Sequence, residues 1–526
     1  MPLPQVSDAP VERTTVRSRP RRSPIPPSRN RRRAAAAGAA VLMALSLGAA
    51  PAAQADEAVL PALVTVGNVR SHLENLQTIA EYNGGNRAHG TAGYDVAARY
   101  VIDQLRRAGY QPRKDEYEFD RWVENATPVL AQTAPEAREF AHDTDFRTMS
   151  YSGAGEVTGA GVPVNPASAA SGCEAGDFAD FPEGAVAIVR RGTCTFEQKA
   201  DNATEAGASA LVVFNHGATS DPADTGPING TLNTLSSIPV VGTTPEVGAA
   251  LVEAGEGLEL SLAVDAEVRT ETSYNIIAET KGGNRDNVVV VGAHLDGVPE
   301  GPGINDNGSG TAAVLEVARQ LPKLDGVENR VRFAFWGTEE EGLVGSTEYV
   351  TGLSQRERDR IALYLNFDMI GSPNFGRFVY DGRGQLPDSA TPPSGSAAIQ
   401  KLFEDYFAGR DLVSEPTAFN GRSDYGPFIE AGIPSGGLFS GGDGVKTEQQ
   451  VEYYGGTAGE DFDPNYHTPR DDLDNINWTS VDQMSDAIAF AVETYADSTL
   501  PVNGVLRTQQ TQERSAFDRR ADLWVR

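Results

Sequence analysis

The sequence predicts an α/β protein, a mostly parallel sheet flanked by helices, with a small β-rich domain inserted into it. Three observations carry this. The runs 288–291, 331–336 and 361–367 are almost continuously apolar and lie between helical patterns, as strands buried on both faces do. Residues 126–270 are instead dominated by small residues and turn signals around short apolar runs. The chain has 526 residues, 40% of them hydrophobic, which is too long for one ordinary domain and enough for sizeable cores.

The N-terminus reads as a targeting segment. Residues 1–33 hold nine Arg against Asp8 and Glu12, a local charge of +7 in a chain that totals −29. An Ala-rich apolar run over 34–50 follows, then the small-x-small site Ala53-Gln54-Ala55. Together these describe a secretory signal peptide cleaved near Ala55, rather than a stable membrane anchor. The secreted chain is then strongly acidic, which argues against nucleic acid as a partner.

Residues 68–110 predict two helices. Val69, Leu73, Leu76 and Ala80 recur at helical spacing, as do Val96, Tyr100, Val101 and Leu105, with the turn 83–86 between them. In the middle segment, 186–189, 210–214 and 238–241 read as strands, and 196–206 as a helix stopped by Gly207. Cys173 and Cys194 are the only cysteines, and an even pair in an exported chain favours a disulfide over two free thiols. It would close a loop of about 20 residues, worth about 3 kcal/mol in loop entropy. Further helices are expected over 310–321 and 479–497, and a polar tail from 501.

Each of the three strong strands runs into acids or a histidine. The first leads to His294 and Asp296, the second to Glu339, Glu340 and Glu341, the third to Asp368. Parallel strands would bring these groups to one rim, where open α/β sheets bind ligands. Asp306, in a turn opening a helix, and His467, in a polar loop, fit the same rim. Imidazole and carboxylate ligands suit zinc and similar divalent ions, and a carboxylate can bridge two. Taken singly, each group has an ordinary explanation as a loop histidine, a solvated acidic face or a helix cap. Recurrence at the end of every strand favours a metal site.

The segments GAHLDG, GINDNGSGTAAVLEVAR, FAFWGTEEEGLVGS, YLNFDMIGSPN and YHTPRDDLDNI resemble the secreted bacterial di-zinc aminopeptidases. These share a superfamily with glutamate carboxypeptidase and the transferrin receptor. The segment GGNRAHGTAGYDVAARYV is similar too. The resemblance implies two zinc ions per chain. One is held by His294 and Asp368, the other by Glu340 and His467, with Asp306 bridging. It implies Glu339 as general base for zinc-activated water, Asp296 orienting His294, Tyr466 stabilising the oxyanion, and Arg422 and Phe439 lining the substrate site. A cis bond between Asp306 and Asn307 is a further feature that family members can carry. Residues 186–196, with Lys199-Ala200 and 205–208, resemble a protease-associated domain, which related peptidases carry as an insertion.

The expected organisation is therefore a signal peptide over 1–55 and a first peptidase part over 56–125. An inserted protease-associated domain at 126–270, the main peptidase part at 271–500 and a tail at 501–526 follow. The expected activity is release of N-terminal, apolar, Leu-like residues from peptides with a free N-terminus, by a monomer. Carboxypeptidase or dipeptidase action on the same fold stays open, since the ligands alone do not exclude it. A non-catalytic receptor-like protein would be expected to lose ligands, and all are present. No G-x-S-x-G elbow offers a nucleophilic route.

Overall fold

The computed structural model describes residues 58–505 except 220, 221, 233 and 388. The expected signal peptide and residues 506–526 lie outside the described residues. The first residues of the expected tail are packed, because the helical turn Leu500–Asn503 buries Val502.

One eight-stranded sheet runs, edge to edge, Arg113–Glu124, Ala266–Glu279, Asn329–Trp336, Asn284–His294, Ile361–Phe367, Ser435–Phe439, Phe378–Tyr380 and Glu415–Thr417. The four central strands, Asn329–Trp336 to Ser435–Phe439, are parallel. Ala266–Glu279 pairs antiparallel with Asn329–Trp336, and Phe378–Tyr380 antiparallel with Ser435–Phe439. The expected parallel sheet therefore has antiparallel flanks.

The unbroken apolar runs are explained by helices on both faces. Val289 and Val291 join a core with the helices Val66–Tyr82, Ala92–Arg107, Gly310–Gln320, Ser396–Ala408 and Trp478–Asp497. Val288 and Val290 face the other way, into a cluster with Trp336, Tyr349, Tyr364 and Phe428. Successive side chains alternate across the sheet, so a strand apolar at every position has two faces to bury. Local chemistry starts the helices: Thr65, Thr91 and Asn477 each accept a hydrogen bond from a backbone N–H of the first turn.

A second eight-stranded sheet is built from strands between Val129 and Val264. Its strands Gly155–Pro163, Val186–Arg190, Ala210–Phe214 and Val240–Thr243 are parallel neighbours. It has two cores of its own, one on each face. Cys173 and Cys194 form a disulfide there, 21 residues apart in sequence. The chain leaves and re-enters the main sheet along a two-stranded ribbon, paired from Arg113 opposite Ile277 to Glu124 opposite Ala266. The ribbon's outer residues are largely polar and exposed, so it lacks the apolar run by which the central strands are recognised.

A candidate metal centre at the carboxyl edge of the sheet

The parallel register delivers the predicted residues together. Strand Asn284–His294 ends on His294, and its neighbour Asn329–Trp336 pairs Trp336 opposite it, three residues before Glu339. On the other side, Ile361–Phe367 leads directly into Asp368. Asp306 sits in the kinked turn before helix Gly310–Gln320, and its peptide bond to Asn307 is cis.

Two triads result, and Asp306 belongs to both. His294 Nε2 lies 3.2 Å from Asp306 Oδ1 and 3.2 Å from Asp368 Oδ1. His467 Nε2 lies 3.0 Å from Asp306 Oδ2 and 3.0 Å from Glu340 Oε2. Each carboxylate oxygen of Asp306 thus faces a different imidazole. Glu339 Oε2 is 3.9 Å from His294 Nε2. Thr338, Leu343, Met369 and His467 all adopt positive φ, between 49° and 60°, in the loops that carry or adjoin these groups. Such backbone is costly for side-chain-bearing residues and gathers where surrounding structure over-determines a site.

The support comes partly from residues the sequence reading did not single out. Asp471 accepts the backbone N–H of Asn305 at 2.8 Å and of Asp306 at 3.0 Å. Ser423 donates to Asp368 Oδ2 at 2.5 Å. Fully buried Arg87 donates to the carbonyls of Leu295, Pro302 and Gly303, tying down the loop between His294 and Asp306. The motif containing Arg87 was visible, but its target was not, because the partners lie over 200 positions away. Asp296 behaves differently from a simple partner of His294. The imidazole Nδ1 is 3.2 Å from the Asp296 backbone carbonyl and 3.8 Å from its carboxylate. That carboxylate instead accepts the N–H groups of Glu339 and Glu340, at 3.2 and 3.3 Å.

Electrostatics follow from crowding acids in a dry place. Burial disfavours the Asp306 carboxylate, but the two imidazoles outweigh it and hold Asp306 below the usual range. Burial, with the Asp306 charge, pushes Glu340 up to about 8. Burial, opposed by His294 and aided by Glu340 and Asp368, raises Glu339 well above its ordinary value. Burial works against a charged His467, yet Asp306 and Glu340 raise it to about 10.

A divalent cation fits this set. His467 Nε2 is close to two carboxylates yet aligned for a hydrogen bond with neither, and Glu340 Oε1 is buried without a hydrogen-bond partner. Those are atoms whose lone pairs a cation would satisfy. Histidine, aspartate and glutamate atoms converge within 4.8 Å in three overlapping groups drawn from His294, Asp306, Glu339, Glu340, Asp368 and His467.

Beside the centre is a cavity of about 290 Å³. Met369, Phe378, Phe439 and Phe462 line its apolar part, and Tyr466 and Arg422 also line it. Tyr466 stacks on His467, with ring centroids 3.8 Å apart, and burial raises its phenol further above neutrality. Arg422 makes a two-pronged ion pair with Asp443, at 3.0 and 3.1 Å.

Fold and site together present a set of potential metal ligands at the carboxyl edge of an α/β sheet. Residues 275–492 match the profile of peptidase family M28, and residues 157–251 match the PA domain. An aminopeptidase of Pseudomonas aeruginosa is 46% identical over 463 residues, covering 87% of this chain and 86% of its own. Leucine aminopeptidase 2 of Trichophyton tonsurans is 38% identical over 441 residues, covering 83% of this chain and 85% of its own. Among solved structures, a zinc aminopeptidase from Bacillus subtilis superposes with a TM-score of 0.59 at 26% identity, covering 84% of this chain and 98% of that one. The chain belongs to peptidase family M28 and carries a PA domain. It is a metallopeptidase of the aminopeptidase type.

Arg87→Met removes the charge that three buried carbonyls receive and that lies among Asp296, Asp471 and Asp306. The expected loss is about 3 kcal/mol of stability, read as a lowered urea midpoint, because buried acceptors and acids are left uncompensated.

Proposed function

We propose that the chain is an exported aminopeptidase that holds two zinc ions and removes apolar N-terminal residues from peptides. The observation that carries the reading is the split of Asp306, one oxygen toward His294 and Asp368, the other toward His467 and Glu340. His294, Asp306 and Asp368 would hold one ion, and Glu340, His467 and Asp306 the other. Bound there, zinc supplies Lewis acidity, polarising the scissile carbonyl and lowering the pKa of water toward neutrality.

The chain's own groups do the rest. Glu339 takes a proton from the attacking water as its oxygen bonds to the carbonyl carbon. When the C–N bond breaks, Glu339 passes a proton to the departing amine. Tyr466 donates its phenol proton in a hydrogen bond to the developing oxyanion. The free α-ammonium of the substrate is received by the carboxylates of Glu339 and Asp368. Asp296 holds the Glu339–Glu340 backbone through its two accepted hydrogen bonds and so keeps the base aimed. The aromatic lining around Phe439 favours a Leu-like first residue, which agrees with the leucine aminopeptidase relative.

The ion pair of Arg422 with Asp443 speaks against a carboxypeptidase. Arg422 is a candidate receiver for a substrate carboxylate, and its guanidinium is already engaged on both prongs. Export is supported by the basic-then-apolar N-terminus and by the Cys173–Cys194 disulfide. Among the described residues, no helix is long and apolar enough to cross a membrane.

The first test compares leucine p-nitroanilide with its N-acetylated form, with and without a zinc chelator. Hydrolysis of the free-amine substrate alone, abolished by chelation, is expected. Cleavage of neither would shift the reading to carboxypeptidase action. Glu339→Ala should keep its zinc and lose turnover by about 10²–10⁴-fold; full activity in this variant would remove the base assignment. Asp306→Ala should lower zinc content at both positions by elemental analysis, and normal two-metal occupancy would refute bridging.

A further inference from the structure

Between strand Ser435–Phe439 and the loop carrying His467, the chain makes a long excursion that includes the helix Glu448–Tyr454. It returns at Phe462, a buried ring that lines the substrate cavity and stands edge-on to Phe378, with centroids 5.1 Å apart. Phe378 is in turn 6.3 Å from Phe439. Phe462 packs directly on the Gly441 backbone. A Cβ at Gly441, where φ is +100°, would lie 2.3 Å from the ring.

A buried lysine holds this excursion in place. Lys446 is 1% exposed. Its Nζ donates to the carbonyls of Gly455 at 2.7 Å, Phe375 at 2.8 Å and Asn374 at 3.1 Å, and lies 3.2 Å from Asn374 Oδ1. The rings of Phe375, Tyr454 and Phe462 surround it at 5.7 to 5.8 Å, within range of a cation–π attraction. Burial lowers its pKa to about 8, which leaves the ammonium form dominant at neutral pH.

Asn374 completes the clasp. Its N–H donates to the Phe462 carbonyl at 3.0 Å, and its amide donates to the carbonyls of Thr457 and Asp461 at 2.9 and 3.1 Å. Gly456 permits the closure: a Cβ there would lie 2.1 Å from Asn374 Oδ1 and 2.9 Å from Lys446 Nζ. Residues 374 and 375 follow closely on Asp368 and Met369 in the chain. The cage therefore joins the cavity's far wall to the loop that bears one of the proposed ligands.

We infer that Lys446 is a positioning residue for substrate selectivity, its caged ammonium fixing the excursion so that Phe462 forms an apolar wall with Phe378 and Phe439. This wall discriminates Leu-like first side chains from small ones. The inference rests on the aminopeptidase reading above. A buried ammonium is costly unless fully solvated by the protein. Here the solvating groups come from the loop after Asp368, through Asn374 and Phe375, and from the excursion itself, through Gly455.

The test uses Lys446→Met, which keeps an unbranched side chain and removes the donors. The kcat and KM of the full-length secreted enzyme are measured on leucine and alanine p-nitroanilides, with zinc content determined alongside. The Leu-to-Ala ratio of kcat/KM is expected to fall by about tenfold, chiefly through a raised KM for leucine, with zinc content unaltered. Phe462→Ala, which leaves the cage intact, is expected to lower the same ratio. A ratio within about twofold of wild type in Lys446→Met would overturn the inference, as would parallel loss on both substrates. If Lys446→Met does not fold, Asn374→Ala takes its place, with the same expected fall and the same overturning result. A wild-type enzyme inactive on every free-amine substrate would instead defeat the aminopeptidase reading itself, and the inference with it.

Discussion

Crowding carboxylates at one dry edge of a sheet is the constraint around which this molecule is arranged. Asp296, Asp306, Glu339 and Asp368 are all buried, and Glu340 lies beside them. Their mutual repulsion and lost hydration must be offset locally. Three kinds of group do so. The imidazoles of His294 and His467 flank Asp306. Backbone N–H groups of residues 305, 306, 339 and 340 are received by Asp471 and Asp296. The Arg87 guanidinium, itself held by carbonyls, contributes positive charge nearby. A set of acids compensated this incompletely, with lone pairs still unmatched on His467 and Glu340, is a set prepared for cations.

The compensation is distributed through the fold. Arg87 comes from the segment between the first two long helices. Asp296 follows one central strand and Asp368 another, while Asp471 and His467 come from a loop near the C-terminal helix. Asp471 lies four residues after His467 and bonds to the backbone of Asp306. The loop with one imidazole and the turn with the central carboxylate are therefore one hydrogen-bonded unit. The inserted sheet stands apart with its own two cores, joined to the main sheet through a twelve-residue antiparallel ribbon.

The polar and the apolar walls of the cavity are built from different materials. Short loops at strand ends present the polar groups, and regular backbone sets their spacing. The apolar wall depends on a long excursion that no strand supports. Its two arms pair by backbone hydrogen bonds, from Phe462 N–H to Gly444 and from Lys446 N–H to Glu460, and the Lys446 and Asn374 side chains tie them to the loop after Asp368.

The primary structure by itself determined the three central strands, the helices around them and the identity of the clustered acids and histidines. Val288 to Val291 had to be a strand buried on both faces, because no amphipathic element places four consecutive β-branched residues. Such strands had to deliver His294, Glu339, Glu340 and Asp368 to a common edge that Asp306 and His467 also fitted, and motif resemblance supplied the role of each. What only the tertiary structure decided is everything fixed by contacts between remote segments. Arg87 gained its role from carbonyls at 295, 302 and 303, Asp471 from the turn at 305–306, and Phe462 from a clasp by residue 374. The exposed ribbon carries only a brief alternation, Tyr117 and Phe119 between Glu116, Glu118 and Asp120, and no apolar run. Local pattern records which face of an element is buried. It does not record what lies opposite, and the direction of a buried side chain is set by its partner across the fold.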